Sequence, residues 1–332
     1  MSASTANTRS VRVKRARRVA VTAAAILVAA TITATFICTR VAEGQFPFDP
    51  GDGFEAHALE VDGVSLRTIE IGEGPAIVFL HGAYGGAEDA IETLAPSLAA
   101  DFRLISIDRP GHGYSQRGGA RHDDPRGQGE TIAAALEALG LERPILVGFS
   151  YGGAVAADLV ARDPSRVGAL VLIAAPLLPW GGGSDATDLV LGAPVAGPAL
   201  AWLGASLLAE AIAPAELDAV FAPEPVAESF DRSPTALAVR PGSLVANSRD
   251  IAHLNDELAE SAAPYADIDV PVVLLHGLED RTVWFDYHSE PVAQILPDAD
   301  LRPIEGAGHL LLYTRTAEVV DAIRSVAARA AR

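Results

Sequence analysis

This 332-residue sequence predicts an α/β fold, a doubly wound and mostly parallel sheet carrying a helical insertion. Three observations predict it. Short apolar runs recur without the polar alternation that a half-exposed strand would show, as expected of strands covered on both faces. Segments with helical spacing lie between those runs. From Pro176 to Tyr265 the alternation stops, and the chain becomes rich in Ala, Leu, Pro and Glu with no strand run of comparable quality. That stretch is too long for a loop in a compact sheet domain, so a helical insert over 176–265 is expected. With 49% hydrophobic residues, the chain can bury a large core.

The amino terminus reads as an address. Residues 1–18 form a basic tail containing Arg9, Arg12, Lys14, Arg15, Arg17 and Arg18, and the uncharged run Val19 to Thr39 follows. Its 21 residues would make a helix of about 31 Å, enough to cross a bilayer once. Basic residues favour the cytoplasmic side, which would leave the remainder outside. A cleaved export signal is the rival reading, although "TRVAEGQ" offers no small-x-small cleavage site. Residues 40–56, with "EGQFPFDPGDG", read as a linker.

Beyond it, "LEVDGVSLRTIEIGEG" alternates around Asp62-Gly63 and predicts a hairpin. The strand runs are "AIVFL" (76–80), "RLISI" (103–107), "PILVGF" (144–149) and "ALVLIA" (169–174), then "PVVLLH" (271–276) and "ADLRPI" (299–304) after the insert. Helices are expected at "AEDAIETLAPSLAA", at "GETIAAALEALG" with Gly140 as its stop, at "YGGAVAADLVARD" and near residues 316–330. The sheet domain therefore comprises 57–175 and 266–332.

Charge and cysteine content narrow the function classes. The formal charge is −18, and residues 1–40 contribute seven positive charges and no negative one, so the body is more acidic still. Such a body argues against a nucleic-acid partner, which needs clustered Lys and Arg. The lone Cys38 excludes an intrachain disulfide and a thiolate zinc site, and the scattered histidines lack ligand-like spacing. His253 and Glu257 stand at helical spacing but read as a solvated face rather than a metal site.

"VGFSYGG" seats Ser150 between Gly148 and Gly152 where a predicted strand gives way to a predicted helix. That is the setting of a nucleophile elbow, a turn so sharp that a side chain at position 148 or 152 would meet backbone. A serine hydroxyl needs a base, and the base needs an orienting acid. His309 in "EGAGHLLL" and Asp280 in "HGLEDRT" follow the two late strands, with Glu279 as the rival acid. Loops at the carboxyl ends of parallel strands converge, so separation along the chain is no obstacle.

With "FLHGAYGG" (79–86), "DRPGHGYS" (108–115), "DPSRVGALVLIAAP", "LLHGLED" and "GAGH" added to the elbow, residues 56–330 resemble an α/β-hydrolase of the capped serine esterase and C–C hydrolase type. The resemblance implies a Ser150–His309–Asp280 triad and an oxyanion hole formed by the N–H groups of Ala83 and Tyr151. It implies holding roles for His81 and His112 in their glycine turns. Tyr84 stands where related enzymes often carry proline or glycine, and could place a ring over the substrate. The insert would act as a cap, with Trp180, Trp202, Phe221 and Phe230 lining an acyl pocket beside Tyr84 or packing the cap onto the core, and with Asn247 or Arg249 contributing to the pocket or standing at the surface. The implied reaction is acyl transfer to water on a small to medium hydrophobic substrate, with no cofactor and no metal. C–C hydrolysis, lactone opening and cofactor-free perhydrolysis would use the same residues, and a membrane-tethered binding protein is the reading from another class.

Overall fold

The hairpin expected around Asp62-Gly63 forms one edge of the sheet. In the computed structural model, which describes residues 3–45, 48–49, 51–232, 235–261 and 263–331, β1 (Glu55–Val61) and β2 (Val64–Ile71) pair antiparallel with Val61 opposite Val64. Asp62 and Gly63 both have positive φ, 51° and 77°, as a tight turn matched to strand twist requires. Six strands follow: β3 (Ala76–Leu80), β4 (Arg103–Ile107), β5 (Ile145–Phe149), β6 (Ala169–Ile173), β7 (Val272–Gly277) and β8 (Ala299–Ile304). Each matches a predicted apolar run to within one residue at either end. The order across the sheet is β1-β2-β4-β3-β5-β6-β7-β8, antiparallel between β2 and β4 and parallel in every later pairing.

The helix layout explains why these strands are apolar throughout. The amino-terminal helix α1 spans Ala3–Gln45, and the helices around the sheet are α2 (Glu88–Thr93), α3 (Pro125–Ala138), α4 (Tyr151–Arg162) and, near the carboxyl end, Thr316–Ala330. On one face Val78, Leu146 and Leu172 pack with Ile132 of α3 and Val155 of α4. On the other, Ile77, Val147 and Ile173 pack with Ala90 of α2 and with Val319 and Ile323 of the terminal helix. Successive strand residues thus enter opposite cores, and each buried Leu, Ile or Val stabilises the fold by about 1.5–3 kcal/mol.

Local signals set the helix limits. Asp124 caps α3 by accepting from the Gly127 N–H at 2.7 Å, Pro125 opens it, and Gly140 follows it with φ 65°. The helix expected over "AEDAIETLAPSLAA" is broken instead: α2 ends at Thr93, and a separate turn, Ala95–Leu98, carries Pro96 in its first positions. Proline has no N–H to continue the ladder.

Between β6 and β7 the described residues form helices and turns only: α5 (Ala186–Gly192), α6 (Ser206–Phe221), α7 (Pro241–Ser261) and shorter pieces, one of them the turn Ala201–Ala205 that precedes α6. The terminal helix is α8. Helix α7 is tied to the sheet domain through Leu254 and Leu258, which join the core beneath α4. Helix α1 runs past both ends of the predicted apolar run, so the first residues of the predicted linker are helical. Phe46, Pro47 and Pro50 of that linker, and Ser233, Pro234 and Ala262 of the insert, lie outside the described residues. The carboxyl-terminal part of α1 packs on the insert: Thr35 and Ala42 are buried, and Glu43 accepts from Arg240 at 3.0 Å.

Candidate active site

Ser150 sits between β5 and α4 with φ 49° and ψ −123°, a backbone state that costs about 1–3 kcal/mol outside glycine. Its surroundings hold it there. The Ser150 N–H donates to the Ile173 carbonyl at 2.8 Å, and its own carbonyl accepts from Gly153 at 2.8 Å. A Cβ on Gly148 would stand 2.6 Å from Gly153 Cα, and one on Gly152 would run into the Leu80 and His81 carbonyl oxygens. Gly148 therefore lets β5 close on the first turn of α4, and Gly152 lets the elbow pack against the end of β3.

Three side chains from three loops meet at this turn. His309, beyond β8, brings Nε2 to 3.0 Å from Ser150 Oγ and Nδ1 to 2.7 Å from Asp280 Oδ2. Asp280, beyond β7, accepts the Thr282 and Val283 N–H groups on Oδ1 at 2.8 and 2.9 Å. Burial alone would raise this carboxyl, but the facing His309 and His276 rings and their hydrogen bonds outweigh it and hold the pKa well below the usual carboxylate range. An ionised acid of this kind fixes the imidazole with Nδ1–H toward Asp280 and Nε2 free to accept from the serine hydroxyl. Glu279 is turned outward and exposed, and takes no part in this arrangement.

The loop after β3 lies against the serine, where a Cβ on Gly82 would stand 3.0 Å from Ser150 Cβ. Tyr151 opens α4, so its N–H is among those a helix leaves without an internal partner. The Ala83 N–H lies in the adjoining loop. Two fixed donors in such a position suit a developing oxyanion.

The holding roles expected of His81 and His112 are seen here, but sequence reasoning missed the arginine that fixes the loop with them. Arg109 is fully buried; its Nε donates to the His81 carbonyl at 2.8 Å and its terminal nitrogens to Gly82 O at 3.1 Å, Gln128 at 2.7 Å and Asp250 at 2.8 Å. Asp250, on α7, also accepts from Arg117 at 2.6 Å. His81 accepts the Arg109 N–H on Nε2 and bonds Gly82 O through Nδ1 at 2.8 Å, so it braces the turn; burial and the neighbouring guanidinium depress its pKa strongly. His112 is depressed for the same two reasons and lies 3.1 Å from Asn247 Oδ1, which also accepts the Tyr84 N–H at 2.8 Å. Asn247 is thus a buried clamp, while Arg249 bonds the Gly192 carbonyl. A second histidine, His276, holds Asp280 from behind at 3.2 Å. The "DRPGHG" motif contains Arg109, but its partner Asp250 lies 141 residues away in a different layer.

The aromatic candidates divide. Tyr84, with φ 55°, stays in the loop beside Ser150; burial and nearby Asp188 and Asp185 push its phenol up to about 12. Phe221 does not open onto a pocket: it is fully buried between Phe230 and Tyr313, with ring centroids 5.1 and 6.2 Å away. Trp180 packs edge-on against His288, 4.7 Å between centroids. Trp202 departs most from expectation and faces outward, because Ala201 and Ser206 take the inner positions of this helical stretch. The ligand-type atoms of Glu55, His57 and Glu70 come together on the hairpin, at the sheet edge four strands from β5.

Residues 75–316 match the family model described as the alpha/beta hydrolase fold. The chain belongs to the α/β-hydrolase family. A non-heme chloroperoxidase of Streptomyces lividans is 30% identical to this hydrolase over 254 residues, covering 73% of this chain and 87% of the relative. A dihydrolipoyllysine-residue acetyltransferase component of an acetoin cleaving system in Pseudomonas putida is 38% identical over 136 residues; this match covers 40% of the present chain and spans only 36% of the relative's length. Among solved structures, a membrane phospholipase A superposes with a TM-score of 0.63 at 23% identity, covering 98% of this chain and 99% of that one. The shared fold with it therefore takes in the amino-terminal helix as well as the sheet.

Proposed function

We propose that this hydrolase cleaves acyl esters through Ser150, with His309 as base and acid and Asp280 as the group that orients it. The observation that carries the reading is the continuous relay from Asp280 Oδ2 through His309 to Ser150 Oγ, at 2.7 and 3.0 Å. Ser150 Oγ attacks the ester carbonyl while His309 Nε2 takes its proton. The carbonyl oxygen becomes an oxyanion facing the Ala83 and Tyr151 N–H groups. Collapse expels the alcohol, which receives the proton from His309, and water repeats the sequence on the acyl-enzyme. The helical insert, standing over the carboxyl edge of the sheet, would act as the lid.

In the same reading, α1 crosses a membrane once with its basic end in the cytoplasm. Within Arg17–Gln45, an 18-residue window has a mean hydropathy of 2.2 and only 6% of it is buried within the protein. Since Thr35 and Ala42 pack on the insert, the full-length chain in detergent is the right material for assay. Turnover of p-nitrophenyl butyrate is expected, with Ser150→Ala reducing it by roughly a thousandfold or more while leaving folding intact. Retention in the membrane pellet through a carbonate wash is expected as well. Full turnover by Ser150→Ala would sink the nucleophile assignment, and release by carbonate would sink the span.

A further inference from the structure

We propose that the outer face of the insert, built from residues 189–212, is embedded in the bilayer leaflet from which α1 emerges, and that the ester cleaved at Ser150 is the acyl ester of a lipid entering from that leaflet. The second half rests on the ester-hydrolase reading, and the first on the proposed membrane span of α1.

The face is apolar where a water-exposed helix pair would be polar. Val195 is 83% exposed, Leu189 and Leu208 63%, and Leu203, Ile212 and Trp202 between 40 and 47%. The segment 189–212 holds one ionisable residue, Glu210, which is turned toward Cys38 of α1. An exposed apolar area of this extent marks a docking or membrane surface.

Continuity with α1 identifies what covers it. A Cβ on Gly204 would stand 3.2 Å from Thr31 Cγ2, while Thr35 and Ser206 are both buried nearby. Thr31 and Thr35 belong to the uncharged run that ends at Thr39. At 1.5 Å per residue, Thr31 stands about 12 Å inside the end of that run and Thr35 about 6 Å. Whatever medium surrounds α1 at those levels also surrounds Trp202, Leu203 and Leu208, which flank the contact. If α1 spans a bilayer, the insert cannot stand clear of the hydrocarbon.

The same helix leads to the site. Helix α6 begins at the α1 contact and ends at Phe221, and the next carbonyl, that of Ala222, closes on Gly308 beside His309. Its later turns carry Glu216 and Asp218, and the start of α5 carries Asp188 with Asp185 as its cap. Asp185, Asp188 and Glu216 lie near enough to Tyr84, in the loop next to Ser150, to raise its phenol. The mouth of the site therefore lies where an apolar surface meets an acidic rim. A lipid ester occupies the same boundary in a bilayer, with its tail in hydrocarbon and its carbonyl at the headgroup level.

The test uses full-length protein in nanodiscs of dioleoyl phosphatidylcholine, with Cys38→Ser and a single nitroxide at Val195→Cys, Leu203→Cys or Leu208→Cys, and a control at exposed Glu60→Cys. Relaxation by oxygen is expected to exceed relaxation by a water-soluble nickel complex at the three insert positions and to fall below it at position 60. Nickel access equal to that at position 60 would overturn the embedding, and exclusion of both relaxants would assign the face to a second protein copy instead. In parallel, the Leu203→Glu/Leu208→Glu double variant is expected to lose about tenfold in hydrolysis of the nanodisc lipid while p-nitrophenyl acetate turnover stays within about twofold. Wild-type protein that cleaves the soluble ester but no bilayer lipid would overturn the substrate half and leave the esterase reading standing. Wild-type protein that cleaves neither would remove the esterase reading, and the nitroxide depths would still decide the embedding.

Discussion

The sheet core and the helical insert are built from similar apolar composition and use it in opposite directions. In β5 all five residues are buried, and Leu146 has no exposure at all. In α6 only Ser206 and Phe221 are buried, while Leu208 and Ile212 point away from the protein. Apolar runs thus tell where water is excluded, but not whether protein or another apolar medium excludes it. In the sheet, α3, α4, α2 and α8 supply the cover. In the insert no described element covers the outer side.

The largest effect belongs to the site the core supports. Asp280→Asn should lower ester turnover by about 10³–10⁴-fold, because an amide can present its N–H toward His309 and force the wrong tautomer. Glu279→Gln, on the exposed neighbour, should stay within about twofold. A larger loss at Glu279, measured as kcat/KM, would break the assignment and the claim that the loops beyond β7 and β8 are fixed by the sheet.

Next come the two leucines that embody the comparison. Leu146→Ala should cost about 2–5 kcal/mol through a cavity between β5 and its packed helices. Leu208→Ala should change stability by no more than about 0.5 kcal/mol in detergent, since 63% of its surface is exposed. Urea titrations of both variants measure this, and equal losses would mean that a protein partner covers α6.

A subtler effect, visible only as pH is varied, lies inside the core. Asp89 is buried beneath the loop that carries Tyr84 and accepts from Tyr313 Oη at 2.8 Å and from the Gly86 N–H at 3.3 Å. Burial pushes its carboxyl up to about 7 from an ordinary value near 3.8. Folding then favours the protonated form, so its contribution is retained below about pH 4 and lost as pH rises toward 7. Asp89→Asn should accordingly gain several degrees of Tm relative to wild type between pH 5 and pH 8. The difference of the two melting curves across that range is the readout, and a difference independent of pH would contradict the raised carboxyl.

These contrasts also explain what could be read from the sequence. The strands were legible because parallel pairing buries both faces, and a run such as "AIVFL" has few other uses. Ser150, Asp280 and His309 were legible because each follows a strand at its carboxyl end. Trp202 was not legible: the segment "ALAWLGASLLAEAIA" is apolar around its whole circumference, so no periodicity tells which side faces the protein. The sequence leaves Phe221 either lining the pocket or packing the insert onto the core, because an aromatic carries no mark separating the two, and the structure gives it the second place. The Arg109–Asp250 pair joins two layers far apart in sequence, and a single buried ion pair leaves no spacing to detect.

The central claim is that Ser150 is a nucleophile made reactive by His309. Full-length protein should react with a fluorophosphonate, and peptide mass spectrometry should find the adduct on Ser150 in the wild type, with His309→Ala labelled at least about a hundredfold more slowly. An adduct on any other residue, or equal labelling rates in the two proteins, would contradict it.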